Sequence, residues 1–319
     1  MRELGRRELL AALGIGSRAL ATRTSAQDAA KPAAAPTPAP SPGTSWKLSL
    51  GAWSFHRAIR SGELAHEDLA KRARSLGFAG LDHVSTFLAD QVAKEGHLAE
   101  LAKRARDEGI ANVCILVDGE GDLADRDRVT RKAAVEAHLK WLDAAAALGC
   151  ESIRVNLAGS GTPEERGEAA VESLRELSLW VRPPVLRVLV ENHGGLSSDA
   201  SWLSAVMRRG HRSPEFGKVG TLPDFGNWTI GEGRTYDRYR GVSELMPWAG
   251  HVSAKSHEFD AQGNETSTDY RRMLRILRDA RYERWIEVEY EGDRLSEEEG
   301  VRATKRLVET VMAELAATK

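Results

Sequence analysis

Short apolar runs alternate with amphipathic stretches along most of the chain, and this alternation constrains the fold more than any other feature. Runs that read as strands lie at 48–54, 79–84, 111–117, 152–157, 185–191, 219–224, 251–256 and 285–291. They are near-continuously apolar, the pattern of strands covered on both faces. Between them, HEDLAKRARSLG (66–77), HLAELAKRARDEG (97–109) and KAAVEAHLKWLDAAAALG (132–149) place apolar residues at i, i+3, i+4 and close on a glycine suited to a helix C-cap. Helical patterning continues at 172–181, 199–210, 269–282 and 296–318. Eight strand-then-helix units imply a parallel sheet wrapped in helices. Their number and length predict a single α/β domain over 46–319, a (β/α)8 TIM barrel. An open doubly wound sheet is the competing arrangement, but no strand is followed by a GxGxxG fingerprint. The nearest glycine-rich loop, AGSGTPEERG (158–167), has the wrong spacing.

The first 45 residues follow other rules. Residues 1–28 carry Arg6 and Arg7 ahead of a modest apolar stretch and a small-residue segment around Ser25-Ala26-Gln27. That arrangement is similar to a twin-arginine signal and predicts export to the periplasm or another extracytoplasmic space. Residues 29–45, AAKPAAAPTPAPSPGTS, read as a Pro/Ala-rich linker with nothing to bury. Residues 1–45 hold six basic and three acidic side chains, which leaves the remainder with 39 basic and 44 acidic, a net charge of −5. A mildly acidic domain gives no reason to expect a nucleic-acid partner. No apolar run is long enough to span a bilayer, and two cysteines, Cys114 and Cys150, do not make a disulfide scaffold. A homo-oligomer is left open.

In barrels of this kind the chemistry gathers at the C-terminal ends of the strands. Those ends supply Arg154 and Asn156 on strand four, Glu191 and His193 on strand five, and Asp224 on strand six. Strand seven supplies Lys255 and His257, and strand eight Glu287, Glu289 and Glu291. Glu191, Asp224, His257 and Glu289 stand 33, 33 and 32 residues apart, one barrel unit each. Converging carboxylates repel unless a cation relieves them. Two glutamates, an aspartate and a histidine form a hard, mostly oxygen shell suited to one Mn²⁺, Mg²⁺ or Co²⁺, with Zn²⁺ less well matched.

Taken in order, VENHGG, LPDFGNW, AKSHEFD and IEVEYEG resemble the xylose isomerase-like TIM barrels of the sugar phosphate isomerase/epimerase kind. LGAWSFHRAI at the first strand and ILVDGEGDL after the third extend the resemblance over about the whole of 46–319. The resemblance implies one divalent ion held by Glu191, Asp224, a histidine and Glu289. The expected histidine position after Gly250-His251 is Ser253. His257 lies on the same face by period-two counting and is the substitute ligand, while Lys255 could instead occupy the space and face the substrate.

The resemblance further implies that Glu191 and Glu289 flank the reacting carbon and move protons through an enediolate. Arg154, Asn156, His193, Lys255 and Trp53 would bind the sugar. The expected function is a metal-dependent isomerase or epimerase of a free sugar or keto-sugar, because the loops after strands seven and eight hold no phosphate cradle. A 3-keto-sugar or glycoside lyase or hydratase on the same metal site is the enzymatic alternative, and a non-catalytic sugar-binding barrel the other. A DNA-repair endonuclease would need more histidines at the strand ends and a basic face. Blander roles are assigned to Glu291 as a solvated loop residue, to Asp118 and Glu120 as parts of a glycine-rich turn, and to both cysteines as buried apolar residues.

Overall fold

The computed structural model describes residues 46–182 and 187–317; the expected export signal (1–28) and linker (29–45) lie outside the described residues. Eight strands form one parallel sheet. They are β1 Lys47–Gly51, β2 Gly80–Val84, β3 Ala111–Leu116, β4 Ser152–Val155, β5 Arg187–Glu191 and β6 Val219–Leu222, then β9 Val252–Ser256 and β10 Trp285–Tyr290. The two intervening strands, β7 Thr229–Gly231 and β8 Arg234–Thr235, make a separate antiparallel hairpin. The sheet order is β6-β5-β4-β3-β2-β1-β10-β9. Parallel bridges Thr221↔Ala249 and Asp224↔Ser253 then join β6 to β9 and close the ring. Closure draws the backbones together so tightly that a Cβ on Gly220 would sit 2.6 Å from the Trp248 carbonyl oxygen.

Helices follow the strands for local reasons. Asp127 accepts from the Thr130 amide to start helix Arg128–Leu148, which ends on Gly149 in the left-handed region. Helix Pro163–Trp180 opens with Pro163 and a full capping box, in which Thr162 and Glu165 each satisfy the other's backbone amide. It therefore begins well before the 172–181 pattern. The first strand stops at Gly51, and Ala52–Phe55 turn into a 3-10 helix instead of extending the strand to 54. Helix Arg238–Leu245 and the hairpin were not foreseen. Among the described residues no helix is long and apolar enough to cross a membrane.

Apolar residues fill the space between strands and helices, as in the packing of Tyr290 against Gly300 of helix Glu297–Ala317. Both cysteines are buried and free. The side chains turned the other way are unusual for a barrel, whose interior is ordinarily dominated by branched apolar residues. Here Asp82, Arg154, Glu191, Asp224, Lys255, Glu287 and Glu289 are all buried.

Candidate active site

The mouth of the barrel is a ring of charge built from strand ends. Glu191 closes β5, and its Oε2 lies 2.7 Å from Arg154 Nε on β4 while its Oε1 accepts from Asn227 Nδ2 at 3.1 Å. The Arg154 Nη1 reaches Asp118 Oδ1 at 2.6 Å, and Asn156 Nδ2 donates to the same oxygen at 2.8 Å. On β9 and β10 the period-two alternation turns Lys255 and Glu289, which are Cα partners, to the same side. Lys255 Nζ stands 3.5 Å from Glu289 Oε1, 3.5 Å from Glu291 Oε2 and 3.9 Å from Asp224 Oδ2. Asp224 is fixed from behind: Oδ1 accepts from the Gly226 and Asn227 amides, and its own amide donates to Asn192 Oδ1. Its other oxygen, Oδ2, has no hydrogen bond among the described residues.

Burial and mutual charge set the protonation of this ring. Burial works against the Lys255 charge, but Glu289, Asp224, Glu291 and Glu191 outweigh it and hold its pKa well above the ordinary lysine value. Burial pushes Glu289 up to about 8 despite Lys255, and the neighbouring carboxylates add to the rise. Burial raises Asp224 as well. Glu291 moves the other way: burial would raise it, yet the neighbouring His257, the Lys255 charge and Trp53 bring it to about 2. The ring thus contains carboxyls in unlike states around one fixed ammonium, an arrangement suited to proton transfer.

The sequence-derived residues divide clearly. Glu191, Asp224, Glu289, Lys255 and Arg154 meet at the mouth, with Asn156 at its edge. His193 is exposed and next to Asp118, whose acidity it helps to maintain. Trp53 is half-buried, stacked between His56 and Phe87, and near enough to Glu291 to favour its charged form. His257, the expected substitute ligand, stands apart from Glu191, Asp224 and Glu289. Its side chain lies one residue beyond the end of β9 at Ser256, is 43% exposed and pairs with Glu291 at 3.7 Å. Lys255 occupies the position among the carboxylates instead. Glu291 is not a solvated loop residue, since it joins Lys255 to His257, and Asp118, within its glycine-rich turn, also anchors Arg154.

A second polar cluster lies deeper, and of its members only Glu287 was singled out in the sequence. Asp82 on β2, His251 at the N-terminal foot of β9 and Glu287 on β10 are at most 1% exposed. His251 Nε2 and Asp82 Oδ1 are 3.1 Å apart. Burial, followed by the Asp82 charge, pushes Glu287 well above the usual carboxyl range. The available signal was Asp82, an acid beside His83 in the run AGLDHV that otherwise reads as a buried strand.

The mouth residues do not fit the expected divalent ion. The imidazole position is taken by Ser253, whose Oγ donates to Glu289 Oε2 at 3.0 Å, and the central position is taken by the Lys255 ammonium. Arg154 and Asn227 already satisfy Glu191. Among the described residues, the group of three His, Cys, Asp or Glu ligand atoms lying within 4.8 Å of one another is Asp82, His251 and Glu287.

Several solved structures share this architecture. A D-psicose 3-epimerase, solved in the presence of D-fructose, superposes with a TM-score of 0.64 at 14% identity, covering 83% of this chain and 99% of that one. A 3-keto-D-glucoside 4-epimerase from E. coli gives 0.60 at 15% identity over 83% and 99%. A xylose isomerase-like TIM barrel protein from Mycobacterium smegmatis, in complex with magnesium, gives 0.60 at 16% identity over 85% and 97%. At such identities the likeness establishes the fold alone. No curated protein sequence is significantly similar. The family profile of the xylose isomerase-like TIM barrel matches residues 70–311, most of the chain, and the protein belongs to that family.

Proposed function

We propose that the protein is a sugar isomerase or epimerase acting on a free sugar or keto-sugar through an enediol intermediate. The observation that carries this reading is the pair Glu191 and Glu289, buried on opposite flanks of a mouth that also holds two fixed cations. One carboxylate removes the proton from the carbon beside the carbonyl, and the other returns a proton to the opposite face or the neighbouring carbon. Arg154 and Lys255 provide positive charge near the oxygen that gains electron density, in a site from which water is largely excluded. Asn156, His193 and Trp53 lie at the rim, where sugar hydroxyls and a ring face would be met. No step is routed through a metal at the mouth.

Two features support an unphosphorylated substrate. Arg294, the basic residue of the loop after β10, is already paired with Glu258 at 3.0 Å. The Arg6–Arg7 segment supports an exported protein, and phosphorylated sugars are scarce outside the cytoplasm. A sugar-binding barrel without turnover is the second reading, favoured by Ser253 in the imidazole position.

Solvent exchange separates the two readings. Incubation with free and 3-keto sugars in D₂O, followed by NMR, should show deuterium entering beside the carbonyl of one substrate. Glu191→Gln and Glu289→Gln should each remove the exchange while leaving circular dichroism unchanged. Sugar binding with no exchange across the panel, or exchange that survives both substitutions, would overturn the proposal.

A further inference from the structure

Below the mouth, the structure holds polar groups that nothing in the proposed reaction uses. Both carboxylate oxygens of Asp82 and Glu287, and both ring nitrogens of His251, lack a hydrogen-bond partner among the described residues, although all three side chains are fully buried. We propose that Asp82, His251 and Glu287 hold a divalent transition-metal ion of the zinc–manganese–cobalt class, one side-chain layer beneath Lys255.

The donor chemistry fits. Two carboxylates and a neutral imidazole balance a divalent charge and leave a coordination position open, as three-ligand sites of this type do. Ligand atoms already lie within 4.8 Å of one another, so small side-chain rotations would close them on an ion with bonds of about 2.0–2.2 Å. Ser49, the Cα partner of Glu287 on β1, adds a buried and equally unpartnered hydroxyl at the same level.

The backbone also keeps the space clear. Gly51 is the Cα partner of Asp82, and a Cβ on it would collide with Glu287 Oε1. Its φ of −74° suits any residue, so the glycine answers to the neighbouring carboxylate and not to a strained turn.

Among the described residues no lysine or arginine is paired with this layer, whose basic side chain is the His251 imidazole. Arg154 feels Glu287, but its guanidinium is committed to Glu191 and Asp118. Lys255 is held by Asp224, Glu289 and Glu291. The three residues are also distinct from the mouth set that spacing and family likeness selected. Glu287 precedes Glu289 by two residues, about 7 Å along a strand.

The test reads metal content and is independent of turnover. Full-length protein purified without chelator, or stripped and reconstituted with Zn²⁺ or Co²⁺, should contain about one ion per chain by elemental analysis. Gly51→Ala and His251→Asn should each weaken Co²⁺ binding at least ~10-fold, read by visible d–d absorption. Asp224→Asn should leave it unchanged. Because an interior variant can fail to fold, the wild type supplies a second readout: Zn²⁺ added to stripped protein should raise its melting temperature. Loss of the ion in Asp224→Asn with retention in Gly51→Ala would overturn the assignment, and so would reconstituted wild type that takes up no metal and shows no thermal shift.

Discussion

Two layers of one barrel solve the same electrostatic problem in different ways. At the mouth, three clustered carboxylates surround the Lys255 ammonium, and Glu191 meets Arg154. One layer down, Asp82 and Glu287 face His251, and among the described residues no side-chain oxygen or nitrogen of the three has a hydrogen bond. The upper layer is paired with Lys255 and Arg154, whereas among the described residues the lower one has no lysine or arginine partner and only the His251 imidazole beside Asp82. The difference teaches that acidity alone does not locate an ion in a barrel; the side chains already occupying the space between the acids do.

The largest effect should come from the mouth carboxylates. Glu191→Gln or Glu289→Gln should lower turnover on the order of 10³-fold, as expected when a positioned acid or base is lost. The check is kcat on the sugar that exchanges deuterium.

Removing the upper cation should cost stability. Lys255→Met leaves Asp224, Glu289 and Glu291 without their shared ammonium and should destabilise the fold by about 3–5 kcal/mol in denaturant unfolding. The matching change below has the contrary signature. In metal-free protein, Glu287→Gln replaces a carboxyl that burial already favours as neutral, so unfolding should move by less than about 1 kcal/mol. Equal losses from both variants would break the comparison.

Ser253→His restores the imidazole that the mouth lacks. It should add a second metal equivalent of modest affinity, about 10-fold weaker than the lower site because Lys255 still competes. The smallest effect belongs to His257→Ala. This half-exposed partner of Glu291 should change stability by no more than about 1 kcal/mol, measured by the same unfolding curves.

Much of the architecture was legible because parallel strands covered on both faces are written as uninterrupted apolar runs. Each of the eight strands falls within a few residues of its expected bounds, from β1 at Lys47–Gly51 to β10 at Trp285–Tyr290. The start of helix Pro163–Trp180 was misplaced because its early turns are polar; the sequence signal there was Thr162-Pro163 with Glu165, not periodicity. At the site, Glu191, Asp224, Lys255 and Glu289 were visible as charges at strand ends. The lower layer was not, because Asp82 lies in the middle of β2 and His251 just before β9, away from the C-terminal strand ends where chemistry is looked for. His257 misled for a related reason. Period-two counting holds only while the strand lasts, and β9 stops one residue earlier.

An anomalous difference map from crystals soaked in Zn²⁺ or Mn²⁺ tests the two-layer account most directly. The account predicts a peak among Asp82, His251 and Glu287, with Lys255 still lodged between Asp224 and Glu289. A peak bounded by Glu191, Asp224 and Glu289, with Lys255 swung away, would contradict it.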